Sequence, residues 1–329
     1  MKRRPLTWAT LLALASLILA PLVGTVSIDL GTSLRELFLS PSAEWSAETR
    51  ILSLRLPRVL LAWLGGGGLA VAGAAMQTLL RNGLATPYTL GVSSAGTFGA
   101  FLCLAFPTFG AYLILPRLAA LVCALGVTFL VLAVARRSPR PDGLILAGVT
   151  LNFLFGAAVM LVRYLADPYQ LAGLDRWLMG ALDVVGFEVP LSLLPWLAVG
   201  LFLLLRRATA FDQYAFDPGL AAARGIDAQA LRRDGLFAAS LLAAAIVASC
   251  GPIGFIGLLI PHAVRAGTGM RHQRLFVGSF LLGAAFLTTA DALARSLALF
   301  GRSSEIPVGI VTALVGGPFF LWLLLRRAR

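Results

Sequence analysis

The chain has 329 residues, 59% of them hydrophobic and 13% charged, with a formal net charge of +12 from 27 basic and 15 acidic residues. Soluble globular chains run at about 45–50% apolar and about 25% charged residues, so an ordinary soluble enzyme is excluded. The basic residues, all arginine except Lys2, stand in twos and threes between long uncharged runs, which excludes a nucleic-acid footprint and fits a polytopic membrane protein.

A membrane span needs about 20 apolar residues. Lys2, Arg3 and Arg4 precede an uncharged run from Pro5 to Ile28. Its length, and the lack of a clean small-x-small cleavage site, read as an uncleaved first span rather than a signal peptide. Apolar runs then fall at 8–26, 56–80, 90–106, 114–135, 143–165, 189–205, 235–250, 254–268, 275–299 and 306–325. The expected fold is therefore an all-α polytopic membrane protein of about ten transmembrane helices, one transmembrane domain spanning 1–329. The eighth run is short and broken by Pro261.

Two stretches between runs are long. Residues 27–54 carry Asp29, Arg35, Glu36, Glu44, Glu48 and Arg50, with Phe38 and Trp45 as interface anchors. Residues 206–234 contain a capped short helix. Asp217 suits the N-cap, Pro218 the first helical position, Leu220 to Arg224 the body, and Gly225 the left-handed stop; Asp227 caps the next helix. So short a helix is marginal in water and must pack on something, either this chain's own face or a partner.

Arginine and lysine bias sets orientation. With both termini cytoplasmic, the inner segments carry +13 and the outer segments −1. Spans two to five and seven to ten then enter the membrane with opposite orientation, so parity permits an inverted repeat. Each set has an early Gly, Pro or Asn interruption, at 82–99 and at 251–269. Small-residue rows such as Gly68 and Ala72, or Gly309, Ala313 and Gly317, permit close helix contact, within one chain or across a dimer seam.

Catalytic chemistry is sparse. A Walker A loop needs a lysine on the nucleotide phosphates, and the single lysine is Lys2 in the amino-terminal tail. There is no HExxH motif; His262 and His272 are the two histidines, and Cys103, Cys123 and Cys250 stand singly in apolar segments, so no metal ligands are expected. Asp291 lies four residues before Arg295, the spacing of a structural ion pair on one helix face. Membrane-embedded acids are otherwise few, which argues against proton coupling and places the energy source on another chain.

Four segments carry more than composition. Residues 55–58 read RLPR, 73–94 read GAAMQTLLRNGLATPYTLGVSS, 251–265 read GPIGFIGLLIPHAVR, and 305–320 read EIPVGIVTALVGGPFF. Together, and in this order over about 50–326, they resemble the FecCD-like permeases of ATP-binding-cassette (ABC) importers, which carry iron-siderophores, haem and vitamin B12. The resemblance implies a ten-helix permease of the bacterial plasma membrane that works as a homodimer, with two separate ATPase subunits inside and one substrate-binding protein outside. It implies no enzyme activity and no cofactor on this chain, with ATP and magnesium held by the ATPase. An iron-siderophore is the first cargo it implies, then haem or cobalamin; a secondary transporter or channel is the reading of a different class.

Residue by residue, Arg55, Arg58 and Arg295 match outward-facing arginines that dock acidic residues of a binding protein. The segment Asp217, Pro218, Leu220, Ala221, Arg224, Gly225 and Asp227 matches the helix that docks into the ATPase. Asn82, Gly83 and Leu84 match an inner-gate loop, with Gly83 in place of the family's proline; Pro141 and Asp142 match a second gate element.

Overall fold

The computed structural model describes residues 4–39, 41–42, 45–105, 115–137, 141–166, 175–269, 271–297 and 305–327. Among these residues every regular element is a helix. In chain order they are α1 Arg4–Leu19, a 3₁₀ turn Ala20–Leu22, α2 Leu30–Leu39, α3 Ala47–Leu79, α4 Val92–Ala105, α5 Leu115–Arg137 and α6 Pro141–Leu165. There follow α7 Glu188–Leu205, α8 Ala208–Phe216, α9 Pro218–Ala223, α10 Ala228–Cys250, α11 Ile256–Thr268, α12 His272–Ser296 and α13 Val308–Arg327.

Six of these helices, α3, α5, α6, α7, α10 and α12, are long and apolar enough to cross a bilayer. Shorter apolar helices occupy Leu6–Leu22, Val92–Ala105 and Val308–Trp322. α11, with 13 residues, contains Pro261 and ends in a turn carrying Arg265. Each apolar run of the sequence thus becomes a helix, but α1, α4 and α11, of 16, 14 and 13 residues, fall short of a full span by length.

The largest departure from the hydropathy reading is α3. It starts at Ala47, well before its apolar run, because Ser46 caps it: Thr49 N donates to the Ser46 hydroxyl at 3.3 Å, and Glu48 sits in the first turn, where a negative charge complements the helix dipole. At 33 residues it is about 50 Å long against a hydrocarbon core of about 30 Å, so it projects beyond the bilayer. The preceding loop is tied to it. Glu36 accepts from the Ser46 backbone N–H and hydroxyl, both at 2.8 Å, and from the Thr49 hydroxyl at 2.7 Å. The Thr49 bond is the largest cause holding the Glu36 carboxyl below its ordinary range.

α3 is the buried axis of the molecule and packs on α10, α11 and α12. α10 packs on α3, α4, α5 and α7; α4 also meets α5 and α6, while α11 also meets α12 and α13. Backbone approach is closest along α3. A Cβ on Gly66 would lie 2.3 Å from the Gly283 carbonyl, and one on Gly73 would lie 2.0 Å from the Gly257 carbonyl. Nothing larger than glycine fits either crossing, and such small-residue contacts bring helices together where the hydrophobic effect does not. The Gly68 row is likewise internal, facing Ile246 and Leu197.

Candidate functional site

The chemistry gathers at two opposite ends of the bundle. At the first, where α3 begins and α12 ends, lies a cluster of charges. Arg58 Nε and Nη2 each lie 2.9 Å from Asp291 Oδ1, and Arg58 Nη1 reaches Asp183 Oδ1 at 3.3 Å and also pairs with Glu305. Arg295 Nε donates to Asp291 Oδ2 at 3.0 Å, so the pair expected from the i, i+4 spacing is present and shares its carboxylate with Arg58. Asp183 in turn pairs with Arg176 at 2.5 Å.

Each of the three arginines expected to dock a binding protein has partners within this chain. Arg55, Arg58 and Arg295 are 8%, 9% and 2% exposed. Arg55 donates to the carbonyls of Pro21 at 3.2 Å and Val26 at 3.4 Å; Arg295 donates to those of Val23 at 3.0 Å and Ala20 at 2.9 Å. The guanidinium groups hold the connection after α1 onto the ends of α3 and α12. The reason is electrostatic: a guanidinium buried without partners costs several kcal/mol, and here the chain's own carboxylates and carbonyls supply them. The groups left at the rim are Arg176, Asp183 and Glu305, each about 40% exposed at the side chain.

At the second end, where α3 stops and α12 starts, the sequence-derived segments meet. Asp217 accepts from Leu220 N at 2.7 Å and caps α9; Pro218 opens the helix; Gly225 has φ +82°; and Asp227 accepts from Gln229 N at 2.9 Å and Ala230 N at 3.0 Å to start α10. Ala221 is buried against the chain, whereas Leu220 is 44% and the neighbouring Phe216 80% exposed, so α9 turns an apolar edge outward. Arg224 is exposed beside it.

The loop of Asn82, Gly83 and Leu84 is folded tightly. Asn82 N donates to Gln77 O at 3.1 Å, the Asn82 side-chain carbonyl accepts from Leu84 N at 2.8 Å, and Arg81 takes φ +48°. Gly83 faces His262 on α11, where a Cβ would meet Nε2 at 3.1 Å; Leu84 is half exposed. Asn152 of α6 donates to Tyr88 O at 2.7 Å and anchors the other side of the loop. Pro141 and Asp142 start α6, and the placement of their side chains lies outside the described residues.

A buried polar network, not anticipated from the sequence, connects these parts. Asp212 on α8 accepts from His272 N at 2.6 Å and contacts His272 Nδ1 at 2.8 Å. His272 Nε2 lies 2.9 Å from the Thr78 hydroxyl, and Arg265 donates to Gln77 Oε1 at 2.5 Å, while Gln77 Nε2 donates to Gly257 O at 3.1 Å. The signal available was the pair Gln77-Thr78 inside an otherwise apolar run. Among the described residues no group of three or more His, Cys, Asp or Glu is placed to hold a metal ion.

Comparison with known proteins gives a consistent picture. The family model of the FecCD transport family matches residues 11–326. The vitamin B12 import system permease protein BtuC of Vibrio cholerae is 39% identical over 88% of this chain and 88% of its own length. The hemin transport system permease protein HmuU of Yersinia pestis is 37% identical, covering 84% and 83%, and the Fe(3+)-citrate import system permease protein YfmE of Bacillus subtilis is 35% identical, covering 100% and 97%. A solved ABC transporter described as metal-chelate type, in an inward-facing conformation, superposes with a TM-score of 0.84 at 30% identity over 99% of both chains.

Proposed function

Because this chain belongs to the FecCD transport family and is a permease subunit of an ABC importer rather than an enzyme, we propose that its cargo is a metal chelate, with an iron-siderophore first and haem or cobalamin next. The observation that carries the reading is the whole-chain likeness to a metal-chelate type transporter, together with relatives named for iron citrate, haemin and vitamin B12. ATPase and binding-protein partners follow from the importer class. The finer assembly we propose is a homodimer of this chain with two ATPase subunits and one binding protein, ATP and magnesium being held by the ATPase.

Ten crossings with both termini cytoplasmic agree best with the arginine bias. The packing order supports an inverted repeat: α3 lies on α11 and α12 as α10 lies on α4 and α5, and α4 with α5 and α6 parallels α11 with α12 and α13. In that orientation the charge cluster faces outward and α9 faces the cytoplasm. The binding protein then docks on the rim of Arg176, Asp183 and Glu305, with Arg55, Arg58 and Arg295 fixing the loops beneath it. The ATPase takes the exposed edge of Phe216 and Leu220 on α8 and α9. The loop of Asn82, Gly83 and Leu84 closes the inner end of the pathway, with Pro141 and Asp142 as its neighbouring element.

The test is reconstitution in proteoliposomes with the ATPase and binding protein from the same operon. ATP-driven uptake of a ferric siderophore that persists after the proton gradient is collapsed is the expected result. Uptake that needs the gradient and not the ATPase would overturn the reading; ATP-driven uptake of haem or cobalamin alone would reassign the cargo.

A further inference from the structure

A groove of about 540 Å³ opens between α5, α7 and α10, within the range of about 300–1,000 Å³ usual for ligand pockets. Its walls are apolar: Phe129 and Leu132 from α5, Leu203 from α7 and Phe237 from α10, with the Phe129 and Phe237 rings 6.1 Å apart. One mouth is lined by Arg206, Arg233 and Asp234. Arg206 follows the last apolar residue of α7, and Arg233 and Asp234 precede the apolar part of α10, which runs from Gly235. The two antiparallel helices therefore place their first charges at one level, where hydrocarbon gives way to headgroups.

The charges at this mouth do not balance. The Asp234 carboxylate is shared by Arg207 at 2.7 Å and Arg233 at 2.9 Å. Arg206 lies over the Phe202 ring, 5.7 Å from its centroid, and has no carboxylate partner among the described residues. Two guanidinium groups and one carboxylate thus line the mouth, and that carboxylate is also held by Arg207, which leaves a net positive charge above an apolar slot. Basic pockets between membrane helices hold anionic headgroups, and a guanidinium matches phosphate geometry with two parallel donors.

We propose that this groove is a binding site for an anionic phospholipid, its phosphate on Arg206 and Arg233 and an acyl chain between Phe129, Leu203 and Phe237. Lipid is favoured over a free anion because the volume below the arginines is apolar, and over a protein segment because the slot opens on the face of apolar helices. The site lies apart from the charge cluster, the loop at 82–84 and α9.

The experiment is native mass spectrometry of the full chain in detergent, with added phosphatidylglycerol, phosphatidylcholine of the same acyl chains, or inorganic phosphate. The wild type should retain phosphatidylglycerol at least fivefold better than phosphatidylcholine, and millimolar phosphate should not displace it. The double variant R206Q/R233Q should bring the two lipids to parity. Ala133→Trp, which fills the apolar slot and keeps both arginines, should lower retention of both lipids, and it decides the matter alone where the double variant does not fold. Equal retention of the two lipids by the wild type, displacement by phosphate, an unchanged preference in R206Q/R233Q, or undiminished retention in Ala133→Trp would overturn the proposal. Loss of ATPase copurification in R206Q/R233Q with lipid preference intact would make the arginines a protein contact instead.

Discussion

Asp212 holds His272 twice through one carboxylate oxygen, accepting from its backbone N–H at 2.6 Å and contacting ring Nδ1 at 2.8 Å. The first turn of α12 is therefore capped by a side chain of α8, the helix adjoining the proposed ATPase contact. Through Nε2 the same ring reaches Thr78 on α3. Asp212→Ala removes the link while leaving α9 intact. Hydrogen bonds to charged groups contribute about 1.5–3 kcal/mol to stability, so the tie between α8 and α12 should loosen and uptake should fall. In proteoliposomes ATP hydrolysis should continue while uptake drops; equal loss of both would mean that the pair only supports the fold.

The Arg58, Asp291 and Arg295 cluster makes a different forecast. Asp291 is fully buried between two guanidinium groups. Asp291→Ala removes the carboxylate they share, leaving Arg58 with Asp183 and Glu305 and Arg295 with two backbone carbonyls, and breaking a buried pair costs about 3–5 kcal/mol. The unfolding midpoint in detergent should fall sharply for this variant and for Arg58→Ala. If Arg58→Ala instead keeps its midpoint and loses only affinity for the binding protein, the arginine acts as a docking group after all.

The helix crossings of α3 can be tested by adding one carbon. Gly73→Ala puts a methyl group 2.0 Å from the Gly257 carbonyl, and Gly66→Ala puts one 2.3 Å from that of Gly283. Overpacking of this kind costs about 1–3 kcal/mol or more. Gly126→Ala on α5 meets nothing within 4 Å and should be neutral or stabilising by up to about 1 kcal/mol. Thermal unfolding of the three variants in one detergent compares them directly.

At α9, Asp217→Ala deletes the cap on Leu220 N and should cost about 1 kcal/mol of local stability. Gly225→Ala forces a β-carbon into φ +82° at about 1–2 kcal/mol. Neither residue lies in the buried core, so both variants should insert and fold. Weakened copurification of the ATPase is the expected readout, and full retention in the double variant would remove α9 from that interface.

Leu84 is half exposed at the end of a loop held by Asn82 and Asn152. In the proposed homodimer, Leu84→Cys should crosslink to its partner in the state closed to the cytoplasm and protect the pathway from cytoplasmic thiol reagents. Absence of a crosslink in every nucleotide state would place the gate elsewhere.

Much of this molecule is written locally. The apolar runs became helices because hydropathy and length act within one segment. Asp217, Pro218, Gly225 and Asp227 formed the caps and stop expected of them, because capping is a contact among residues two or three apart. The i, i+4 pair of Asp291 and Arg295 is local in the same sense. The start of α3 was misplaced because a search for apolar residues overlooks a polar helix end capped by Ser46.

What the one-dimensional pattern left undecided was how each buried charge is satisfied. Arg58 meets Asp291 across 233 residues, and His272 meets Asp212 across 60. An arginine at the end of a span looks the same in sequence whether it faces water, lipid or another chain. The sequence by itself determined the membrane class, the helices and their caps, because these follow from the polarity of neighbouring residues. Only the tertiary structure decided that three arginines expected to face outward are spent on the chain's own carboxylates and carbonyls. It is helix packing that brings those distant partners within reach and makes buried charge tolerable.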